Sequence, residues 1–179
     1  QDIGVGPLTV GNHAFRMLID QTNVIVEANE SDNIFSRQIA VSPPTPNLTF
    51  TPPPNWSGPI VVSTLQNTNT DSINTPPYST TDILYVDFAI INNGTADITV
   101  PFDVRLELDS VVIKTVTVPS LTMGTIYQNP DTNLGSLSRG THALRMLIDL
   151  PNPGAVAEFD PNDNLYIRTF QVLYPIPTI

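Results

Sequence analysis

Phe102-Asp103-Val104-Arg105-Leu106-Glu107-Leu108 decides the fold. Apolar residues hold the even positions, and three of the odd positions between them are charged. Only an extended chain, whose side chains point alternately to opposite faces, sorts such a pattern into one apolar and one charged face. Asp109-Ser110 then predicts a tight turn into a second strand, Val111–Val118, which Pro119 ends. Upstream, Leu84, Val86, Phe88 and Ile90 alternate with Tyr85, Asp87 and Ala89, and Asn92-Asn93-Gly94-Thr95 is a strong turn signal. Downstream, Leu144, Met146 and Ile148 alternate with Ala143, Arg145 and Leu147, and Tyr166–Val172 closes the series. With an early strand at Asn47–Phe50, the reading is an all-β, immunoglobulin-like antiparallel sandwich of about seven strands. The 18 prolines argue against helix.

The chain also repeats itself. Gly11-Asn12-His13-Ala14-Phe15-Arg16-Met17-Leu18-Ile19-Asp20 returns as Gly140-Thr141-His142-Ala143-Leu144-Arg145-Met146-Leu147-Ile148-Asp149, identical at 8 of 10 positions. After a two-residue insertion, Glu27–Asn33 aligns with Glu158–Asn164, and Arg37, Ile39 and Val41 align with Arg168, Phe170 and Val172. Residues 1–42 therefore read as the closing strands of one unit, an extra N-terminal hairpin, and 47–172 as a complete second unit. Residues 43–46, Pro-Pro-Thr-Pro, read as a linker, 51–82 as a Pro/Asn/Thr-rich insertion with some extended structure near Ile60–Leu65, and 173–179 as a tail.

Composition narrows the function classes. The charge is −10, and Lys114 is the only lysine. Such a chain repels phosphate backbones and anionic lipid, so nucleic acid is a poor partner and divalent cations are natural counter-ions. No cysteine means no disulfide, thiolate metal site or cysteine nucleophile. No apolar run approaches a membrane span, so membrane insertion is not expected. The abrupt start at Gln1 is expected of a chain with its leader removed or of a fragment.

The order of these motifs resembles the cell-adhesion-related domain found in bacteria, CARDB. The resemblance rests on Val86–Ile90 with Asn92-Asn93-Gly94, Pro101–Leu106, Val118-Pro119-Ser120-Leu121, Gly140–Leu144 and Glu158–Asn164. It covers about 47–51 and 83–172, with 4–41 as a partial copy, and departs at 51–82. It implies tandem immunoglobulin-like sandwiches in bacterial or archaeal surface proteins, for display or adhesion rather than chemistry.

Among the polar residues, Glu158, Asp160, Asn162, Asp163 and Asn164 set five oxygen-bearing side chains in seven positions. Calcium takes six to eight oxygens, so the loop is a candidate calcium site. The competing reading is a turn in which Asp and Asn bond their own backbone. His13 and His142 sit at equivalent strand ends with core parity and no nucleophile motif nearby, and are read as structural. Arg145 is expected to pair across strands with Glu107 or Asp103. Trp56, the only tryptophan, is a candidate contact for a glycan or partner, or a pin for its own loop. Sequons occur at Asn29, Asn47, Asn55 and Asn93.

No catalytic constellation is present, so no enzymatic activity is expected. The apolar face of the N-terminal hairpin, Phe15, Met17, Ile19, Phe35, Ile39 and Val41, needs a partner that two strands cannot supply. Three outcomes are open: the hairpin is cut from a longer array and partly disordered, it packs on the complete unit, or it completes the sheet of another copy or neighbouring repeat, as a filament would. The expected function is a non-catalytic structural or adhesive surface module. The competing class is a calcium- or carbohydrate-binding accessory domain of an extracellular enzyme.

Overall fold

The computed structural model describes residues 3–68, 78–151 and 154–175, and every regular element among them is a strand. The chain divides into two compact units, Gln1–Pro43 and Pro44–Ile179. Pro76, Pro77 and the tail residues 176–179 lie outside the described residues.

The first unit is one hairpin. Strands β1 (Gly11–Leu18) and β2 (Ile34–Val41) pair antiparallel, with Gly11 opposite Val41 and Leu18 opposite Ile34. Asp20, at a left-handed φ of 41°, starts the connection. Its carboxylate accepts the amides of Val24 (3.0 Å) and Ile25 (2.7 Å), an arrangement that Asp tolerates better than most residues.

The second unit is a two-sheet sandwich. In one sheet the central strand is β6 (Leu84–Asn92). Along one side of it run β3 (Leu48–Thr49), opposite Asn92 and Ile91, and β4 (Ile60–Ser63), opposite Phe88 to Tyr85. These are two pieces of a single edge, interrupted where Pro52-Pro53-Pro54 has no N–H to continue the ladder. The other side of β6 carries β9 (Ile126–Gly135). The second sheet runs β5 (Tyr78–Ser79), β11 (Leu165–Leu173), β10 (Gly140–Ile148), β7 (Phe102–Leu108) and β8 (Val111–Val118). Its neighbours are antiparallel except β5, which is parallel to β11.

The predicted periodicity places the core. Leu84, Val86, Phe88 and Ile90 of β6 meet Val104 and Leu106 of β7, Leu144, Met146 and Ile148 of β10, and Phe170 and Val172 of β11. Each such side chain contributes roughly 1.5–3 kcal/mol on leaving water. The predicted turn at Asp109-Ser110 is a two-residue connection with φ of 50° and 70°, the handedness that matches strand twist.

Three expectations change. The stretch 51–82 is not wholly an insertion outside the sandwich: Ile60, Val61 and Val62, where extended structure is expected, are fully buried, and the Tyr78 hydroxyl donates to the Val62 carbonyl (2.8 Å), tying the edges of the two sheets. The strand count among the described residues of the second unit is nine rather than about seven, since β5 and β9 have no apolar alternation to announce them. β9 contains Pro130 and a left-handed Asp131, and it follows β6 through a bulged register. Residues 43–46 are not a free linker. Thr95 N donates to Thr45 O (2.8 Å) and Phe159 N to Pro46 O (2.9 Å), so this stretch is laid onto the second unit. Gly94 permits that approach, since a Cβ there would lie 2.4 Å from the Asn47 nitrogen.

Candidate functional site

The acidic loop 158–164 folds against the start of β3 and the turn after β6. The Glu158 carboxylate accepts the Leu48 amide (2.6 Å) on one oxygen and the Asn164 side-chain amide (2.7 Å) on the other. The Asn47 side chain accepts the Asp160 amide (2.8 Å) and donates to Asn93 (2.9 Å) and Asp163 (3.4 Å). Asp160 accepts the backbone and side-chain amides of Asn162, both at 3.0 Å. Asn92, wholly buried, accepts Asn47 N (3.1 Å) and Gly94 N (3.2 Å) and donates to the Ala96 and Leu121 carbonyls. Asn47 and Asn92 organise this junction, a role that a strand start with a sequon and the first residue of a turn do not announce in the sequence.

Burial raises the Glu158 carboxyl above its ordinary range. The bonds from Asn164 and Leu48 offset this in part, and the charges of Asp149 and Asp163 add to it. Two oxygens remain: Asp163 Oδ1 and Asn164 Oδ1 are buried and accept no hydrogen bond. Among the described residues no group of three or more His, Cys, Asp or Glu side chains is arranged to hold a metal ion. The five residues named as calcium ligands lie together in space, and four of their side-chain oxygens, both of Glu158 and one each of Asp160 and Asp163, already accept protein N–H groups.

His142 is a core-edge residue. One ring nitrogen lies 2.7 Å from Asp109 Oδ2 and the other 2.8 Å from the Ser138 carbonyl, while the ring packs on Phe170. Burial works to lower the imidazole pKa, but the Ser138 carbonyl and the Asp109 bond and charge outweigh it and raise it. For Asp109 burial again opposes ionisation, and the Ala143 amide with the His142 bond and charge outweigh it, lowering the carboxyl. Arg145 pairs with Glu107 (2.9 Å), which Arg105 also approaches (3.1 Å). Asp103 instead accepts the Thr117 hydroxyl (2.6 Å).

Trp56 is half-buried in a turn closed by its amide on the Pro53 carbonyl (3.0 Å), with Asn55 in the left-handed region. Of the sequon asparagines, Asn29, Asn55 and Asn93 are exposed. Asn47 is 7% exposed with its amide engaged, which leaves no room for a glycan.

The largest unfilled feature is the β1–β2 hairpin. Met17 is 56% exposed and Phe35 61%, with Ile19 and Ile39 also open and Phe15 and Val41 half-buried. Their counterparts Met146, Ile148, Phe170 and Val172 are core.

No curated protein matches the chain. A CARDB domain from Pyrococcus furiosus, solved in complex with di-metal ions, is 16% identical over 72% of this chain and 90% of its own, with a TM-score of 0.49. A domain of a Methanosarcina acetivorans protein, itself only inferred to be a cell-surface protein, is 20% identical over 72% of this chain and 93% of its own, with a TM-score of 0.48. The CARDB family model matches residues 61–168, a run that takes in 61–82 of the 51–82 stretch read as an insertion and extends from β4 into β11. With that match and this sandwich, the chain belongs to the CARDB family of cell-surface-associated, non-enzymatic β domains.

Proposed function

We propose that this protein is a non-catalytic structural or adhesive module of an extracellular, cell-surface assembly, and that its β1–β2 hairpin is the assembling element. In this reading strands from another copy or a neighbouring repeat complete the hairpin, and repetition of the contact builds a filament. One observation carries the proposal. The side chains whose counterparts form core in β10–β11 lie open in β1–β2, and nothing among the described residues of the first unit covers them. An exposed apolar sheet face with a free strand edge is the usual substrate of strand addition.

The test is light scattering over a concentration series, with electron microscopy of the same samples. Mass rising with concentration, or filaments, is the expected result. A monomer at every concentration, with residues 10–41 protected from hydrogen exchange, would mean that the chain covers its own hairpin and would overturn the proposal.

A second reading has one observation in its favour. The unpartnered, buried oxygens of Asp163 and Asn164 lie in the loop named for calcium. A calcium-dependent rise in melting temperature, lost in Asp163→Asn, would establish it.

A further inference from the structure

Contacts made inside the β10–β11 hairpin are reproduced in β1–β2. The register is the same: Gly140 faces Val172 as Gly11 faces Val41. His142 Nε2 lies 2.8 Å from the carbonyl four residues back, Ser138, and His13 Nε2 lies 2.6 Å from its counterpart, Thr9. Asp149 accepts the amides of Ala155 and Val156, and Asp20 those of Val24 and Ile25. Ile148 N donates to Asn164 O (2.9 Å) and Ile19 N to Asn33 O (3.0 Å).

Contacts that β10–β11 makes to the rest of its sandwich have no counterpart in the first unit. Arg145 reaches Glu107, whereas Arg16 has no side-chain partner among the described residues. His142 Nδ1 meets Asp109, while His13 Nδ1 meets no partner among the described residues. Arg168 donates to the Ile60 carbonyl across the sandwich, and Arg37 has no such acceptor. Glu158 receives the Leu48 amide, and the Glu27 carboxylate receives none. The edge of β10 pairs with β7, and the matching edge of β1 is unpaired in its two-stranded sheet.

Resting on the complementation reading above, we infer that the hairpin docks into a CARDB-type sandwich that lacks its own two closing strands. The partner is defined chemically. It presents a β7-like strand with a glutamate opposite Arg16 and an aspartate in the following turn, within reach of His13 Nδ1. Its facing sheet offers an edge carbonyl to Arg37, a strand-start amide to Glu27, and an apolar wall to Met17, Phe35 and Ile39. The hairpin is already set in the bound geometry, so docking orders side chains and not backbone.

The probe is residues 44–138 of this chain, a sandwich without its closing hairpin, mixed with the full-length protein. The inference expects 1:1 co-elution and slowed hydrogen exchange over residues 11–41. Arg16→Ala or His13→Ala should weaken the complex by about threefold to fivefold, since the matching Arg145–Glu107 and His142–Asp109 contacts are partly solvated. Soluble 44–138 that leaves exchange in 11–41 unchanged would overturn it. If 44–138 precipitates, a chimera decides, with residues 10–42 replacing 139–173 in the full chain. Cooperative unfolding of its second unit supports the inference, and loss of a cooperative transition overturns it. Self-association of the parent chain together with failure of both tests would leave the assembly reading standing and remove only this partner.

Discussion

The β1–β2 and β10–β11 hairpins share sequence, register and turn chemistry, yet one is a core element and the other a surface. Leu144 and Met146 are wholly buried, and Met17 is half in solvent. The comparison shows that local sequence specifies the hairpin and its internal hydrogen bonds, whereas burial is conferred by strands elsewhere. A face that reads as core in the sequence is therefore not core until its complement is present.

The sharpest way to break the comparison is to truncate aligned side chains. Met146→Ala should cost about 2–5 kcal/mol of unfolding free energy, through lost transfer energy and a cavity. Met17→Ala should lie within about 0.5 kcal/mol of the parent in dilute solution. Paired denaturant melts check this, and equal losses would mean that β1 is already packed.

The acidic loops differ next. Glu158→Ala removes the acceptor of a buried amide at Leu48 and of the Asn164 side chain, an expected loss of about 1–3 kcal/mol. Glu27→Ala should be silent by the same melts. A smaller difference separates the arginines. Arg145→Ala should cost about 1 kcal/mol or less, because its ion pair with Glu107 is partly solvated, and Arg16→Ala should cost nothing in the isolated chain.

The smallest effect is the dependence on pH. His142 is held above and Asp109 below their ordinary values. Their pair contributes fully between about pH 4 and 6.5, the ordinary carboxylate and imidazole values. The contribution fades above this window as His142 loses its proton and below it as Asp109 gains one. Glu158, and Asp87, which burial raises, also favour the folded state less as pH climbs through their raised values. Melting temperature should fall as pH rises above about 6.5. His142→Gln should flatten that limb. An unaltered slope in His142→Gln would contradict the assignment.

Much of the sandwich was legible in the sequence, because β6, β7 and β10 alternate cleanly and β8 follows an Asp-Ser turn. β9 was not, since Asn129, Pro130, Asp131 and Asn133 carry no period, and its pairing with β6 depends on bulges that tertiary contact imposes. The edge made of β3 and β4 was hidden for a related reason. Three prolines split it, and only the shared partner β6 shows the pieces to be one edge. The acidic loop was visible as a cluster, but its hydrogen-bonding partners were not. Asn47 meets Asn92 and Asp163, and Leu48 meets Glu158, only through the fold, across 45, 116 and 110 residues of sequence.

Hydrogen exchange of the full-length protein, read side by side over residues 12–18 and 141–147, tests the central claim most directly. The account predicts that β1 exchanges orders of magnitude faster than β10 in dilute solution and gains protection when 44–138 is added. Equal protection of the two strands in the isolated monomer would contradict it.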